Sequence, residues 1–299
     1  MTAAMTTTLD ELALPGGGFA MVAVDQRDSL RTMFDEAGRG RPRDDVLIDF
    51  KLRVASVLGP EASGVLIDRH YGFDELRRRG LLPAGTGLIL AADALQQAEG
   101  QPVEDTDLDP VVASGDLDVT GVTALKLLVI WRRDERRAAR VELVHRFVES
   151  ARDLGLLSVL EPVVRATPSE LADGTWDLQR ALCEAAGELS VAAPSLYKAQ
   201  VPMGGAGTPE AQEQASRALG EAISGPWVVL SQGVPRDRFL PAVAAACRAG
   251  ASGFLAGRAL WRDVVGSRRL DADLRAIALP RLRRLRSAVE QHARPWRSR

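Results

Sequence analysis

Lysine is scarce in this 299-residue chain: of 38 basic residues only Lys51, Lys126 and Lys198 are lysines, and the rest are arginines. Cysteine is scarcer still. Cys183 and Cys247 make neither a disulfide framework nor a zinc site, and they read as small core residues. His70, His145 and His292 share no close spacing, so a histidine metal centre has little support and no metal or other cofactor is expected. Neither sign of charge is in excess, with 38 basic residues against 40 acidic ones, which argues against nucleic acid or another polyanion as partner. No apolar run approaches the roughly 20 residues of a membrane span. The opening MTAAMTTTLDEL lacks the basic segment and apolar core of a secretory leader. At 46% hydrophobic content, the expectation is a cytoplasmic globular protein without membrane contact.

The shortage of lysine makes each survivor informative. A chain biased toward arginine uses it wherever positive charge suffices. Lysine, unlike arginine, can lose its proton when desolvated and become a nucleophilic amine. Chance survival, or a lysine snorkelling along a helix, is the plainer reading of any one of them.

Short apolar β-type runs alternate with amphipathic helical patterns. The runs are 18–25, 63–68, 87–93, 124–131, 157–164, 196–202, 227–233 and 253–258. Most are near-continuous in hydrophobicity, as parallel strands covered on both faces require. Helical patterns occupy 44–58, with Val46, Leu47, Phe50, Val54, Val57 and Leu58 on one face, then 134–154 and about 272–292. Eight strands with crossovers in a chain of this length predict one α/β domain over 1–299, a single (β/α)8 TIM barrel. An open dinucleotide-binding sheet needs G-x-G-x-x-G after its first strand, and here that strand runs into VDQRDS. Residues 1–17 read as a flexible lead-in. The stretch 94–121 reads as an irregular excursion that covers the barrel or joins an oligomer contact.

Barrel chemistry sits at the C-terminal ends of the strands. There, or just inside, stand Asp25, Asp68, Asp93, Lys126, Glu161, Lys198, Ser231 and Arg258. A buried, unpaired charge is costly, so such residues have a partner or a purpose. Lys198, in LYKAQVP, reads as an amine whose pKa is lowered by desolvation and by a second cation, Lys126 in ALKLLVIW. It reads equally as half of a structural pair with Glu161. Glu161, in EPVVR, is a proton shuttle or a counter-ion for a lysine. Asp25 is an orienting group or a helix cap, and Lys51 a lysine at the edge of a helical stripe. After the last two strands, SQGV and FLAGRALW bring Ser231, Gly233, Gly257 and Arg258 into loops where barrel phosphate sites recur. Tight turns and a surface arginine are the plainer reading of those loops. WRRDERR at 131–137 reads as a solvated helix start.

The blocks FAMVAVDQR, ALKLLVIWRRDE, LSVLEPVVR, LYKAQVP, WVVLSQGV and GASGFLAGRALW run in that order from about residue 19 to 261. Together they resemble class I aldolases of the tagatose-1,6-bisphosphate aldolase type, and within that group most closely sulfofructosephosphate aldolase. The resemblance implies a metal-free (β/α)8 carbon–carbon lyase that forms a Schiff base on Lys198. It implies that Lys126 and Glu161 assist proton transfer, with Asp25 beside them. It also implies that Ser231, Gly233, Gly257 and Arg258 hold an anionic group of the substrate. Gln26 and Arg27, from the first block, are counted with them as substrate-binding residues. Relatives usually carry Glu where Gln200 stands, and SSGV or SAGV where this chain has SQGV. IDRHYG after strand two is closer to the bisphosphate aldolases, and its Arg69 offers a charge for a second anion.

The expected reaction is reversible cleavage of a phosphorylated ketose to dihydroxyacetone phosphate and an aldehyde. The aldehyde is 3-sulfolactaldehyde from 6-deoxy-6-sulfofructose 1-phosphate, or glyceraldehyde 3-phosphate from tagatose or fructose 1,6-bisphosphate. Two other readings are a barrel enzyme that uses Glu161 as base without a covalent intermediate, and a sugar-phosphate sensor without turnover. Self-association into a homo-oligomer is expected from relatives.

Overall fold

The computed structural model describes residues 7–298. Among these residues the strands are β1 (Phe19–Ala23), β2 (Gly64–Asp68), β3 (Gly87–Ala91), β4 (Asp93–Gln96), β5 (Asp105–Leu108), β6 (Ala124–Trp131), β7 (Leu157–Val164), β8 (Leu196–Gln200), β9 (Trp227–Leu230) and β10 (Gly253–Ala256). Eight of them, all but β4 and β5, pair in parallel and close into a barrel in the order β1-β2-β3-β6-β7-β8-β9-β10. This is the expected (β/α)8 TIM barrel, and every one of the eight apolar runs supplies a barrel strand.

The period of two along each strand sorts side chains between two apolar regions. Phe19, Met21 and Ala23 of β1, Ala124 of β6, Leu157 and Val159 of β7, and Leu196 of β8 belong to one cluster, inside the barrel. Their alternating neighbours, such as Ala20, Val22, Leu125, Leu127, Leu160 and Tyr197, pack with the helices in the other. Continuing the inner rows by two residues gives Lys126, Glu161 and Lys198. All three are buried, at 1%, 6% and 3% exposure, and they sit above an apolar barrel floor. The register Lys126↔Val159 and Lys198↔Val228 fixes their heights relative to that floor.

The lead-in is packed rather than loose over the part described. A short 3₁₀ turn, Leu9–Leu12, drives Leu9 and Leu12 into the inner cluster as a plug at the N-terminal end of the strands. Gly17 accepts a hydrogen bond from the Trp296 N–H at 3.1 Å, and Asp10 accepts one from the Trp296 indole at 3.1 Å. Apolar plugging and these ties to the C-terminus correct the expectation of flexibility from Leu9 to residue 17; residues 1–6 lie outside the described region.

The excursion at 94–121 contains order that periodicity did not reveal. β4 and β5 form an antiparallel hairpin over the C-terminal end of the barrel, with Asp93 opposite Leu108 and Gln96 opposite Asp105. The helix Asp44–Leu58 has the expected boundaries but a rotated face. Val46 is 40% exposed, whereas Lys51 is fully buried among Leu47, Phe50, Val54 and Leu58. The last helical region runs through Leu270–Asp273, a π-helical turn at Leu274–Ala278, and Leu279–His292. WRRDERR is a lattice of ion pairs to Glu170, Glu184 and Glu188, with Arg137 stacked 4.9 Å over Trp131. Among the described residues no helix is long and apolar enough to cross a membrane.

Candidate active site

A cavity of about 680 Å³ opens at the C-terminal end of the strands, where a barrel presents its loops. Asp25, Gln26, Arg27, Lys126, Glu161, Lys198, Ser231, Gly257 and Arg258 all line it. Of the residues singled out from sequence, Asp68, Arg69 and Gly233 lie off its wall. Gly233 lines an adjoining groove that shares Ser231, Gln232 and Arg258 with the main cavity.

At the base of the cavity two lysines share one carboxylate. Glu161 Oε2 lies 2.9 Å from Lys198 Nζ and 3.0 Å from Lys126 Nζ. Lys126 also donates to Asp25 Oδ2 at 2.6 Å and to Asp93 Oδ2 at 3.0 Å. Burial alone would drive the Lys126 ammonium toward neutrality. Three carboxylates, from Asp25, Asp93 and Glu161, override that and hold its pKa well above the usual lysine range. Asp25 is the converse case. Burial pushes its carboxyl up, but Lys126 and Lys198 together hold it below the ordinary aspartate range. Lys126 is therefore a fixed cation and Asp25 a fixed anion across the neutral range.

Asp93, which sequence placed at a strand end without a distinct role, links this cluster to the next. Arg27 donates to its side chain at 2.7 Å and to its backbone carbonyl at 2.9 Å. Arg27 Nε approaches Asp68 Oδ1 at 3.9 Å, and Asp68 forms a fully buried ion pair with Lys51. Lys51 thus belongs to the charged layer beneath the cavity rather than to a helix edge. Its place among residues 47, 50, 54 and 58 was legible in helical spacing, but Val46 pulled the predicted face aside.

The opposite wall carries cationic character without a counter-ion. Arg258 is half-buried and, among the described residues, enters no ion pair; its nearest polar contact is Gln232 Oε1 at 3.4 Å. Burial pulls the guanidinium below its usual range, with Arg262 adding to the effect while Glu161 and Asp25 oppose it. Such a desolvated guanidinium lining a cavity is suited to an anion. Gly257, just before it, has no room for a side chain: a Cβ there would sit 2.6 Å from Ala23 O. The Trp261 indole donates to that same carbonyl at 3.0 Å, so the end of β1 is locked against the β10 loop.

Two residues noted in the sequence, Gln200 as a departure from relatives and Arg69 as a charge for a second anion, are absent from the cavity lining. Gln200 accepts a hydrogen bond from the Val164 N–H at 2.7 Å, clamping β7 to β8 above the point where their ladder ends. Arg69 is clamped by both oxygens of Asp109, at 3.0 to 3.2 Å, and is absent from the cavity wall. The stretch expected to cover the barrel or join an oligomer contact does supply part of the wall: Leu95, Gln97 and residues 100–103 line the cavity.

Solved structures share this architecture. A fructose-bisphosphate aldolase from Plasmodium falciparum superposes with a TM-score of 0.71 at 15% identity, over 97% of this chain and 94% of that one. An archaeal fructose-1,6-bisphosphate aldolase, solved with its catalytic lysine bound to a carbinolamine intermediate, gives 0.61 at 18% identity over 96% and 99%. In sequence, the tagatose 1,6-diphosphate aldolase of Listeria monocytogenes serotype 4b is 26% identical over 96% of this chain and 92% of its own length. Tagatose 1,6-diphosphate aldolase 2 of Enterococcus faecalis is 27% identical over 89% and 85%. The family model for DeoC/LacD family aldolases matches residues 19–263. The chain belongs to the DeoC/LacD family of aldolases and is a carbon–carbon lyase.

Proposed function

We propose that the protein is a Schiff-base aldolase that reversibly cleaves a ketose 1-phosphate to dihydroxyacetone phosphate and an aldehyde. The observation that carries this reading is the Lys198–Glu161–Lys126 arrangement: one buried amine, one carboxylate in contact with it, and one ammonium locked in its charged state. In the cleavage direction Lys198 passes a proton to Glu161, 2.9 Å away, and its amine attacks the C2 carbonyl. Protonation of the carbinolamine oxygen by Glu161 releases water and leaves an iminium. Glu161, again a carboxylate, takes the C4 hydroxyl proton as the C3–C4 bond breaks, and the bond electrons enter the iminium to give an enamine. Lys126 serves as the fixed positive charge that polarises substrate oxygens, since it does not shed its proton. Protonation at C3 and hydrolysis return Lys198 and release dihydroxyacetone phosphate.

Arg258, with Ser231 and Gly257, holds the C1 phosphate in this reading; what supports it is a half-buried guanidinium on that wall that enters no ion pair among the described residues. The names of the relatives favour tagatose or fructose 1,6-bisphosphate as substrate. The sulfosugar substrate expected from sequence, 6-deoxy-6-sulfofructose 1-phosphate, would follow the same steps with a sulfonate at the remote end. Borohydride reduction in the presence of dihydroxyacetone phosphate, followed by peptide mapping, tests the mechanism. A stable adduct on Lys198, absent in a folded and inactive Lys198→Ala variant, is the expected result. An adduct on Lys126, or wild-type turnover by Lys198→Ala, overturns the assignment of roles.

A further inference from the structure

Resting on that reading, we infer that Arg165, backed by Arg132, binds the second anionic group of the ketose, and that Glu104 of the hairpin occupies this subsite in the free enzyme. The barrel order sets the geometry. Lys198 stands on β8, between β9 and β7. If C1 of the substrate extends toward Ser231 and Arg258, beyond β9, then C3 to C6 extend toward β7. Arg165 lies immediately after β7, four residues beyond Glu161, and lines the cavity.

Arg258 apart, which the proposed function gives to the C1 phosphate, the other arginines on the cavity wall and Lys126 are committed. Arg27 is tied to Asp93, Lys126 to three carboxylates, and Arg262 to Glu36 at 3.0 Å. Arg69, the sequence-based candidate for a second anion, is held by Asp109. Arg165 is less satisfied. Among the described residues its one ion-pair partner is Glu104, at 3.5 Å, and Glu104 is shared with Arg132 at 2.9 Å. Two guanidiniums thus divide one carboxylate whose side chain is 59% exposed. Burial, and then the charge of Arg132, pull the Arg165 guanidinium below its usual range. A phosphate or sulfonate in place of Glu104 would meet both arginines and relieve their mutual repulsion. Glu104 ends the hairpin segment whose residues 100–103 line the mouth, so ligand and hairpin compete for the same charge pair.

The test compares kcat/KM for tagatose 1,6-bisphosphate with that for tagatose 1-phosphate, which lacks the remote anion. Loss of one charge-assisted contact predicts that Arg165→Gln lowers the bisphosphate-to-monophosphate ratio by about 10- to 100-fold. Glu104→Gln, which removes the competing carboxylate, is expected to raise that ratio by lowering KM for the bisphosphate. A ratio unmoved by both variants, while dihydroxyacetone phosphate is still trapped on Lys198, overturns this subsite and leaves the aldolase reading intact. Failure of the wild-type protein to trap dihydroxyacetone phosphate or cleave either ketose overturns both.

Discussion

Lys126→Met is the sharpest perturbation the structure offers, because it removes one ammonium from among three buried carboxylates. The pairs to Asp25, Asp93 and Glu161 measure 2.6, 3.0 and 3.0 Å. At an effective dielectric of about 20 each is worth roughly 6 kcal/mol before desolvation is counted. Most of that sum is offset by the cost of burying four charges. Two of the orphaned carboxylates also keep partners, Asp93 with Arg27 and Glu161 with Lys198. Asp25 is left most exposed to the loss, so the net cost should resemble that of breaking one buried pair, about 3–5 kcal/mol. In the wild type the Asp25 carboxyl is held low, so its contribution is present above the ordinary aspartate pKa and is lost as pH falls through the depressed value. Without Lys126, burial acts unopposed by its largest partner and the carboxyl rises instead. The folded variant then takes up a proton as pH falls and regains stability that the wild type does not. Denaturant unfolding at pH 8 and pH 5, with slopes compared to verify two-state behaviour, measures this. A deficit below about 1 kcal/mol at pH 8, or one that fails to shrink at pH 5, would refute the electrostatic account.

Other substitutions probe the remaining layers. Lys51→Met strands Asp68 in the core and should cost about 3–5 kcal/mol, read by unfolding; Asp68→Asn added to it should recover much of that, and no recovery would deny that the pair is coupled. Gly253→Ala places a Cβ 1.9 Å from Phe19 O at a φ of +144°, so the β1–β10 closure must part. A melting temperature within a degree or two of wild type would contradict the register there. Arg258→Gln should raise the KM for dihydroxyacetone phosphate in the condensation direction by about tenfold or more. Because Arg258 enters no ion pair among the described residues, the same variant should melt no lower than wild type; a large loss of stability with an unchanged KM would make Arg258 structural.

Most of the barrel was legible because parallel strands buried on both faces leave apolar runs, near-continuous in most of the eight. Lys126, Glu161 and Lys198 were legible for the same reason, as charges within runs otherwise fit for burial. The hairpin was not. β4 and β5 carry Asp93, Gln96, Asp105 and Asp107, and a two-stranded ribbon lying over a cavity need not bury either face continuously. The plug at Leu9–Leu12 escaped notice because four residues are too few to show a period. Asp109 was missed as the partner of Arg69, since 40 positions separate them. No local pattern reports which arginine is already neutralised and which is free to bind.

The three lysines turn out to answer two different needs. Lys51, Asp68, Arg27, Asp93, Lys126, Glu161 and Lys198 form one line of alternating charge from the outer helix layer to the cavity. At Lys126 the requirement is a compact ammonium that three carboxylates can approach from different directions; a planar guanidinium presents a fixed fork and fits such a ring poorly. At Lys51 it is a slim charged group that a helix can bury completely against one aspartate. Neither position calls for a reactive amine, and the carboxylates around Lys126 work against one. In the proposed mechanism, Lys198 alone uses the chemistry that arginine lacks. Its carboxylate partner, Glu161, stands 2.9 Å from Nζ, within reach of the proton that such chemistry must move. The scarcity of lysine therefore marks where ammonium geometry matters, and position with partners tells the three apart: Lys126 and Lys198 line the cavity, the first among three carboxylates and the second beside one, whereas Lys51 lies outside that lining.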